Sequence, residues 1–415
     1  MKLLEKVVRT NANSGTNTLI FDTLSQSSPT CKTVLTRVLM NILRQLKEHG
    51  QSVWLDHTDR HLIRSGELKE MVDKGEICGV TTNPAILAKA VGSDAGYAED
   101  IRILSSQGQT PAAALEKLVI ADIRATADIL RPIHEATCRR DGYVSLQIAP
   151  ALADDAGKTI AETRRLWREV ARENLLIKIP ATEAGFPAIT QLTADGINVN
   201  VTLLFSQAQY ERAAQAYLDG LEQRIAGGGN PANVTGIASF FVSRIDTTVD
   251  AIITSHLNQC GWIKIYDALE RESLRNLLGK VGIANAKVAN ERYQAIFSGP
   301  RWDVLAAQGA RKQRLLWAST GIKNPAYRDV KYIEELIGPD TITTIGPATL
   351  AAFRERGRVR DTLQENMANA AIQLSTLKTL RISLDDIAGK LLSEGVKQFN
   401  AAHEKLLSSI QQPLP

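Results

Sequence analysis

After Gly50 the chain settles into an alternation that dictates most of what it can fold into. Short apolar segments bounded by turn residues are followed, each time, by longer stretches with helical spacing. The short segments are "SVWLD" (52–56), "EICGVTTNP" (76–84), "YVSLQIAP" (143–150), "NLLIKIPA" (174–181), "INVNVTLLF" (197–205), "VTGIASFFV" (234–242), "RLLWAST" (314–320) and "TITTIGPA" (341–348). Their length and apolar content read as strands. Between them, "TIAETRRLWREVARE" (159–173) places Ile160, Leu166, Trp167 and Val170 on one helical face, and the helix after the fifth strand opens at Ser206, a good N-cap. Strands alternating with helices call for a parallel sheet under right-handed crossovers. Eight such units over about 300 residues suit a (β/α)8 TIM barrel, an α/β fold. An open doubly wound sheet is the alternative. No GxGxxG follows any strand, which lowers the dinucleotide-binding reading, and the "GGG" at 227–229 lies between a helix and a strand, where it reads as a loop.

The alternation divides the chain into a barrel over 51–358, an N-terminal extension over 1–50 and a C-terminal extension over 359–415. In the first extension "CKTVLTRVLMNILRQLKEHG" (31–50) carries Val34, Val38, Leu39, Ile42, Leu43 and Leu46 on one stripe and stops at Gly50, a good helix terminator. The tail reads as helical, packed on the barrel, and shows no recognisable chemistry. Composition excludes several classes. A net charge of +4 is too mild to indicate nucleic acid, though it suits a site for anionic substrates. Cys31, Cys78, Cys138 and Cys260 are dispersed and form no CxxC pair, so neither a disulfide framework nor a zinc site is expected. A reducing compartment, the cytoplasm, follows from that. No apolar stretch reaches the roughly 20 residues of a membrane span. Self-association into a homo-oligomer is left open.

Within "NLLIKIPAT" (174–182) one lysine, Lys178, stands among Leu175, Leu176, Ile177 and Ile179. It could lift its ammonium to solvent along its flexible stem, or pair with a carboxylate. It could also be held neutral, because burial disfavours the charged form. A neutral amine attacks carbonyls and forms Schiff bases.

In a barrel of this kind the active site lies at the C-terminal ends of the strands. Polar residues gather there: Asp56 on the first strand, Thr81 and Asn83 on the second, Gln147 on the third, Lys178 on the fourth, Asn200 and Thr202 on the fifth, Ser239 and Arg244 on and after the sixth, Ser319 and Lys323 on and after the seventh. Each has a structural reading of its own. Asp56 could cap a helix, Asn83 before Pro84 could shape a turn, and Asn200 could satisfy backbone. A whole ring of them is harder to explain that way. A Schiff-base lysine turns a ketone into an electron sink, so that an adjacent carbon–carbon bond can break or form. Asp56 is the candidate acid/base for that step. Asn83, Asn200 and Thr202 can hold sugar hydroxyls, and Arg244 and Lys323 with Ser239 and Ser319 can hold a phosphate. Together they read as a class I aldol enzyme.

The same residues resemble the transaldolase family. The resemblance is carried by "WLDHTDR" (54–60), "GVTTNPAIL" (79–87), "VSLQIAPAL" (144–152), "NLLIKIPATEAG" (174–185), "GINVNVTLLFSQAQY" (196–210), "ASFFVSRIDTTVD" (238–250) and "LLWASTGIKNPAY" (315–327). It implies a (β/α)8 barrel without metal or organic cofactor. It also implies transfer of a dihydroxyacetone unit between sugar phosphates, in the pentose phosphate pathway. The family's Schiff-base lysine falls on Lys178 and its acid/base aspartate on Asp56. Its orienting threonine and asparagine fall on Thr81 and Asn83, and the fifth-strand pair on Asn200 and Thr202. Its phosphate-binding serine and arginine fall on Ser239 and Arg244, its strand-seven serine on Ser319, and a last basic ligand on Lys323.

One position departs from the family pattern. The third strand of a transaldolase usually carries a glutamate that works through a bound water; this chain has Gln147. An amide does not exchange protons at neutral pH, though it can still hold a water. Fructose-6-phosphate aldolases carry glutamine there together with a tyrosine on strand six, where this chain has Phe241, the transaldolase choice. The two markers disagree. Three readings follow: a transaldolase with a slower proton relay, a shifted aldol activity on the same scaffold, or a sugar-phosphate binder without catalysis. Intact Lys178 and Asp56 speak against the last.

Overall fold

The structure is a computed structural model that describes residues 41–93, 95–259 and 265–411. Each apolar segment contains one strand: β1 (Ser52–Leu55), β2 (Gly79–Thr81), β3 (Tyr143–Gln147), β4 (Leu175–Pro180), β5 (Val199–Leu204), β6 (Gly236–Phe241), β7 (Arg314–Ala318) and β8 (Ile342–Ile345). They pair in parallel, in sequence order, and β8 pairs back onto β1 to close the barrel. Closure removes the open-sheet alternative. It also removes every sheet edge; with helices outside and side chains filling the lumen, each strand is buried on both faces and reads as a mostly apolar run.

The period-two geometry of a strand sorts those apolar residues into two sets. Outward-facing Val53, Leu55, Val80, Val144, Leu146, Leu175, Ile177, Ile179, Val199 and Val201 pack against the helices. Inward-facing Trp54, Tyr143, Leu176, Ile237, Leu316 and Ile342 fill the lumen. Trp54 lies over Gly79 of the neighbouring strand, where an added Cβ would fall 2.4 Å from the indole. The lumen at that height is therefore filled by one ring that needs a bare backbone beside it.

The floor of the barrel is closed by a buried polar cluster. Arg314, at the start of β7, donates to Arg140 O, Asp141 Oδ1, Ser52 Oγ and Thr341 O. Asp141 also accepts from Trp54 Nε1 and Ser52 Oγ.

The compact unit runs from Ile42 to Pro415. The helix Ile42–Glu48 buries Leu43 and Leu46 and packs on β1, so it stands with the barrel. Gly50 follows it at φ +74°, the left-handed conformation that ends helices. Residues 31–40 of the helix expected there lie outside the described residues, as do Cys31 and Cys260. Cys78 and Cys138 are free thiols. Ser206 caps its helix, accepting from Gln209 N at 3.3 Å. Beyond β8, Lys287 Nζ holds the returning chain by donating to Thr362 O and Glu365 O, both at 2.8 Å. Two helices follow, Met367–Thr379 and Leu384–Gln411. No described helix is long and apolar enough to cross a membrane.

Candidate active site

The alternation that packs Leu175, Ile177 and Ile179 outward turns Lys178 into the lumen, on the face of Leu176. By the same count Asp56, Thr81, Gln147, Asn200, Thr202 and Ser239 point inward. Register then sets their neighbours. Gln147 pairs with Lys178, Lys178 with Asn200, and Pro180 with Thr202. A cavity of about 430 Å³ opens at the C-terminal ends of the strands. Of the expected residues, Asp56, Thr81, Asn83, Lys178, Ser239, Phe241, Arg244, Ser319 and Lys323 line it. Gln147, Asn200 and Thr202 are not in its wall. A cavity of this size suits a small sugar phosphate.

Lys178 is 6% exposed, and its ammonium donates to Thr82 O at 3.1 Å. It forms no ion pair with any described carboxylate. Burial pushes its pKa below the ordinary lysine value, opposed more weakly by the charge of Asp56. The lysine is thus neither exposed nor ion-paired to a described carboxylate, and its burial works against the charged form. Asp56 accepts from Thr81 Oγ1 at 2.7 Å, which fixes the carboxylate's orientation at the rim.

Gln147 and Thr202 lie on β3 and β5, the strands on either side of β4. Gln147 Nε2 donates to Lys178 O at 3.2 Å. Gln147 Oε1 and Thr202 Oγ1 have no protein partner among the described residues. Asn200 sits deeper. Its amide donates to Ser145 Oγ at 3.1 Å and its oxygen accepts from Ser239 Oγ at 2.7 Å. This chain of three side chains spans β3, β5 and β6, and it directs Ser239 toward Asn200. Ser145 was missing from the sequence reading; only the register brings it next to Asn200. Asn83 caps the helix Pro84–Ser93 by accepting from Ile86 N at 3.0 Å, so the turn-shaping role holds, and it lines the cavity as well.

The far wall is cationic. Arg244 opens the helix Ser243–Gln259, and its guanidinium lies 5.6 Å from the centre of the Phe241 ring. Burial lowers its pKa. Lys323 stands exposed on the rim, its pKa lowered by desolvation and by Arg244. Two cations on one wall, one of them destabilising the other's charge, beside a helix N-terminus, favour an anion between them. Ser319 joins this wall, its hydroxyl 2.9 Å from Ser243 Oγ. It sits at φ +57°, a strained conformation for serine that places its side chain at the mouth. No group of three or more His, Cys, Asp or Glu side chains among the described residues could hold a metal.

Residues 53–410 match the family described as Transaldolase/Fructose-6-phosphate aldolase. The chain belongs to that family. Among similar proteins, "Transaldolase 2" of Nostoc punctiforme is 45% identical over 376 residues, covering 90% of this chain and 98% of the relative. "Transaldolase 1" of Streptomyces coelicolor is 43% identical over 373 residues, covering 90% and 94%. "Transaldolase" of Neisseria gonorrhoeae is 42% identical over 371 residues, covering 89% and 100%.

In this member of the family the site has one wall that the sequence reading left out. Gln398 and Phe399, from the C-terminal helix Leu384–Gln411, line the cavity with Lys178 and Asp56. The tail was expected to pack on the barrel without contributing chemistry. A helical reading of the tail says nothing of the surface it covers. Ile86, Thr320, Thr344, Gly346 and Thr349 also line the cavity and carried no distinguishing signal in the sequence.

Proposed function

We propose that this chain is a transaldolase that carries a dihydroxyacetone unit on Lys178 from a ketose phosphate to an aldose phosphate. The supporting observation is a lysine buried at the barrel mouth without an ion pair to any described carboxylate, with Asp56 on the same cavity and two cations on its far wall. Arg244 and Lys323 take the substrate phosphate. The neutral amine of Lys178 adds to the ketose carbonyl, and loss of water gives the imine. Asp56 takes the proton from the hydroxyl on the fourth carbon, the bond between the third and fourth carbons breaks into the imine, and an aldose phosphate leaves. The enamine that remains attacks the carbonyl of the acceptor, Asp56 returns the proton to the new alkoxide, and water cleaves the imine.

Phe241 offers the site an apolar wall with no proton to give, and it rests 5.0 Å from Phe205, centre to centre. Gln147 favours a second reading, aldol cleavage without an acceptor. Its amide can hold the water of imine hydrolysis yet cannot relay its proton. One experiment separates the two. The protein is given fructose 6-phosphate with and without erythrose 4-phosphate, and products are followed by NMR. Sedoheptulose 7-phosphate formed only with the acceptor is expected. Free dihydroxyacetone at a comparable rate without acceptor would establish the aldolase. Borohydride reduction with a ketose phosphate should leave a mass adduct on Lys178, and its absence at saturating substrate would reduce the protein to a binder.

A further inference from the structure

The C-terminal helix Leu384–Gln411 has 28 residues. At 1.5 Å per residue it is roughly 42 Å long, enough to cross the barrel mouth. Its path can be followed residue by residue. Leu391 packs in the cluster that holds Phe205, Phe241 and Ile245. Gly395 rides directly on Leu203 of β5, where an added Cβ would fall 2.8 Å from a Leu203 methyl. Leu203 reaches up to it because the β5–β6 ladder slips between Val201 and Leu204, with Leu203 at φ +61°. Phe399 is 6% exposed and belongs to the same cluster as Phe241. Farther on, Leu406 is buried among Ala90, Val91, Tyr97 and Ile101, on the opposite side of the mouth. The helix is thus pinned on both sides of an opening that it crosses.

Three of its side chains bear on the site. Glu394 is the carboxylate whose charge reaches Arg244. Gln398, four residues on, shares its face. Gln398 lines the cavity, and no described side chain or backbone group takes its amide. Phe399 lines the cavity beside it.

We propose that this helix sets the specificity of the site: Gln398 contacts the hydroxyls of the acceptor aldose phosphate, and Phe399 keeps water from the lysine-bound three-carbon unit until that acceptor arrives. The proposal rests on the Schiff-base reading of Lys178. The competing reaction is balanced and needs only water. The enamine carbon takes a proton, water adds to the resulting imine carbon, and the C–N bond breaks to release dihydroxyacetone and the free amine. A roof that admits the phosphorylated acceptor and excludes water divides the intermediate between these two fates.

The test uses the full chain with Gln398→Ala, Phe399→Leu and Phe399→Ala. Gln398→Ala changes an exposed helical position and leaves the fold intact. It should raise the KM for the aldose phosphate about threefold to tenfold, the worth of one neutral hydrogen bond, with kcat at saturation nearly unchanged. Phe399→Leu should raise the ratio of free dihydroxyacetone to transfer product severalfold, and Phe399→Ala, if it folds, should raise it further. An unchanged KM and an unchanged ratio would overturn the proposal. A readout independent of turnover runs beside these: the rate at which acetic anhydride labels Lys178, mapped by mass spectrometry. A roof predicts faster labelling in both Phe399 variants, and equal rates would count against it. If the wild-type protein makes neither product, the reading of the site fails, while the labelling rates still decide whether the helix covers the lysine.

Discussion

The two ends of the barrel each bury a cation and treat it in opposite ways. At the floor Arg314 is 6% exposed and donates to a carboxylate, a hydroxyl and two carbonyls, while Asp141 gathers two more donors around it. At the mouth Lys178 is 6% exposed as well, yet among the described residues its ammonium donates to a carbonyl alone, and burial has depressed its pKa. A guanidinium stays protonated in any protein environment, so it must be compensated where it is buried. An ammonium has a second way out, which is to lose its proton. The floor spends its polar groups on each other and becomes structure. At the mouth Lys178, Arg244 and Lys323 form no ion pair with a described carboxylate, and the proposed function gives that place to an anionic ketone.

The sharpest way to break this contrast is to give the mouth the cation of the floor. Lys178→Arg should abolish both transfer and borohydride trapping while the circular dichroism of the fold persists, because a guanidinium cannot form the imine. Turnover in that variant would place the nucleophile elsewhere.

The reverse change probes the floor. Arg314→Met leaves Asp141 buried without its cation, and breaking such a pair costs about 3–5 kcal/mol. Denaturant titration should show that loss, with kcat per folded molecule unaltered. A loss within the range of an ordinary surface substitution would mean the floor pair is no more structural than the mouth.

A subtler effect concerns pH. The folded lysine binds its proton less tightly than the unfolded one, so between its lowered pKa and the ordinary 10.5 the unfolded chain carries more protons. Wild-type stability should therefore rise with pH through that window. Lys178→Met lacks the group, so it should be more stable than wild type near neutrality, with the advantage shrinking toward pH 10.5. A difference that does not vary with pH would show that the lysine's burial costs nothing.

The smallest expected change is Gln147→Glu. A carboxylate at that position, one strand from Lys178, should speed imine exchange with solvent if proton relay limits the cycle; oxygen-18 exchange into the ketose carbonyl would report it. An unchanged or slower exchange would tie the glutamine to a different rate-limiting step.

How far the sequence could be read follows from which distances matter. All eight strands were legible, because a parallel barrel buries both faces of each strand and forces compact apolar runs on the chain. Lys178 was legible for the same reason, as the exception within such a run. The placing of Asp56, Thr81 and Thr202 at the barrel's C-terminal end was legible too; that they turn inward shows only with the strand register in hand. The depth of Asn200 did not, since its role is decided by Ser145 and Ser239 on two other strands and hence by the shear of the closed barrel. The slip at Leu203 was equally silent: a left-handed leucine looks like any other leucine in a strand.

The sequence by itself determined the barrel, the gathering of polar residues toward its C-terminal end and the lysine set within an apolar strand, because each is written in local periodicity and residue chemistry. Only the tertiary structure decided what covers that lysine. Gln398 and Phe399 lie more than two hundred residues from Lys178 along the chain, and nothing in a helix's own spacing says which surface its apolar stripe will meet. That choice is made by packing, where Gly395 settles on Leu203 and draws the helix across the mouth.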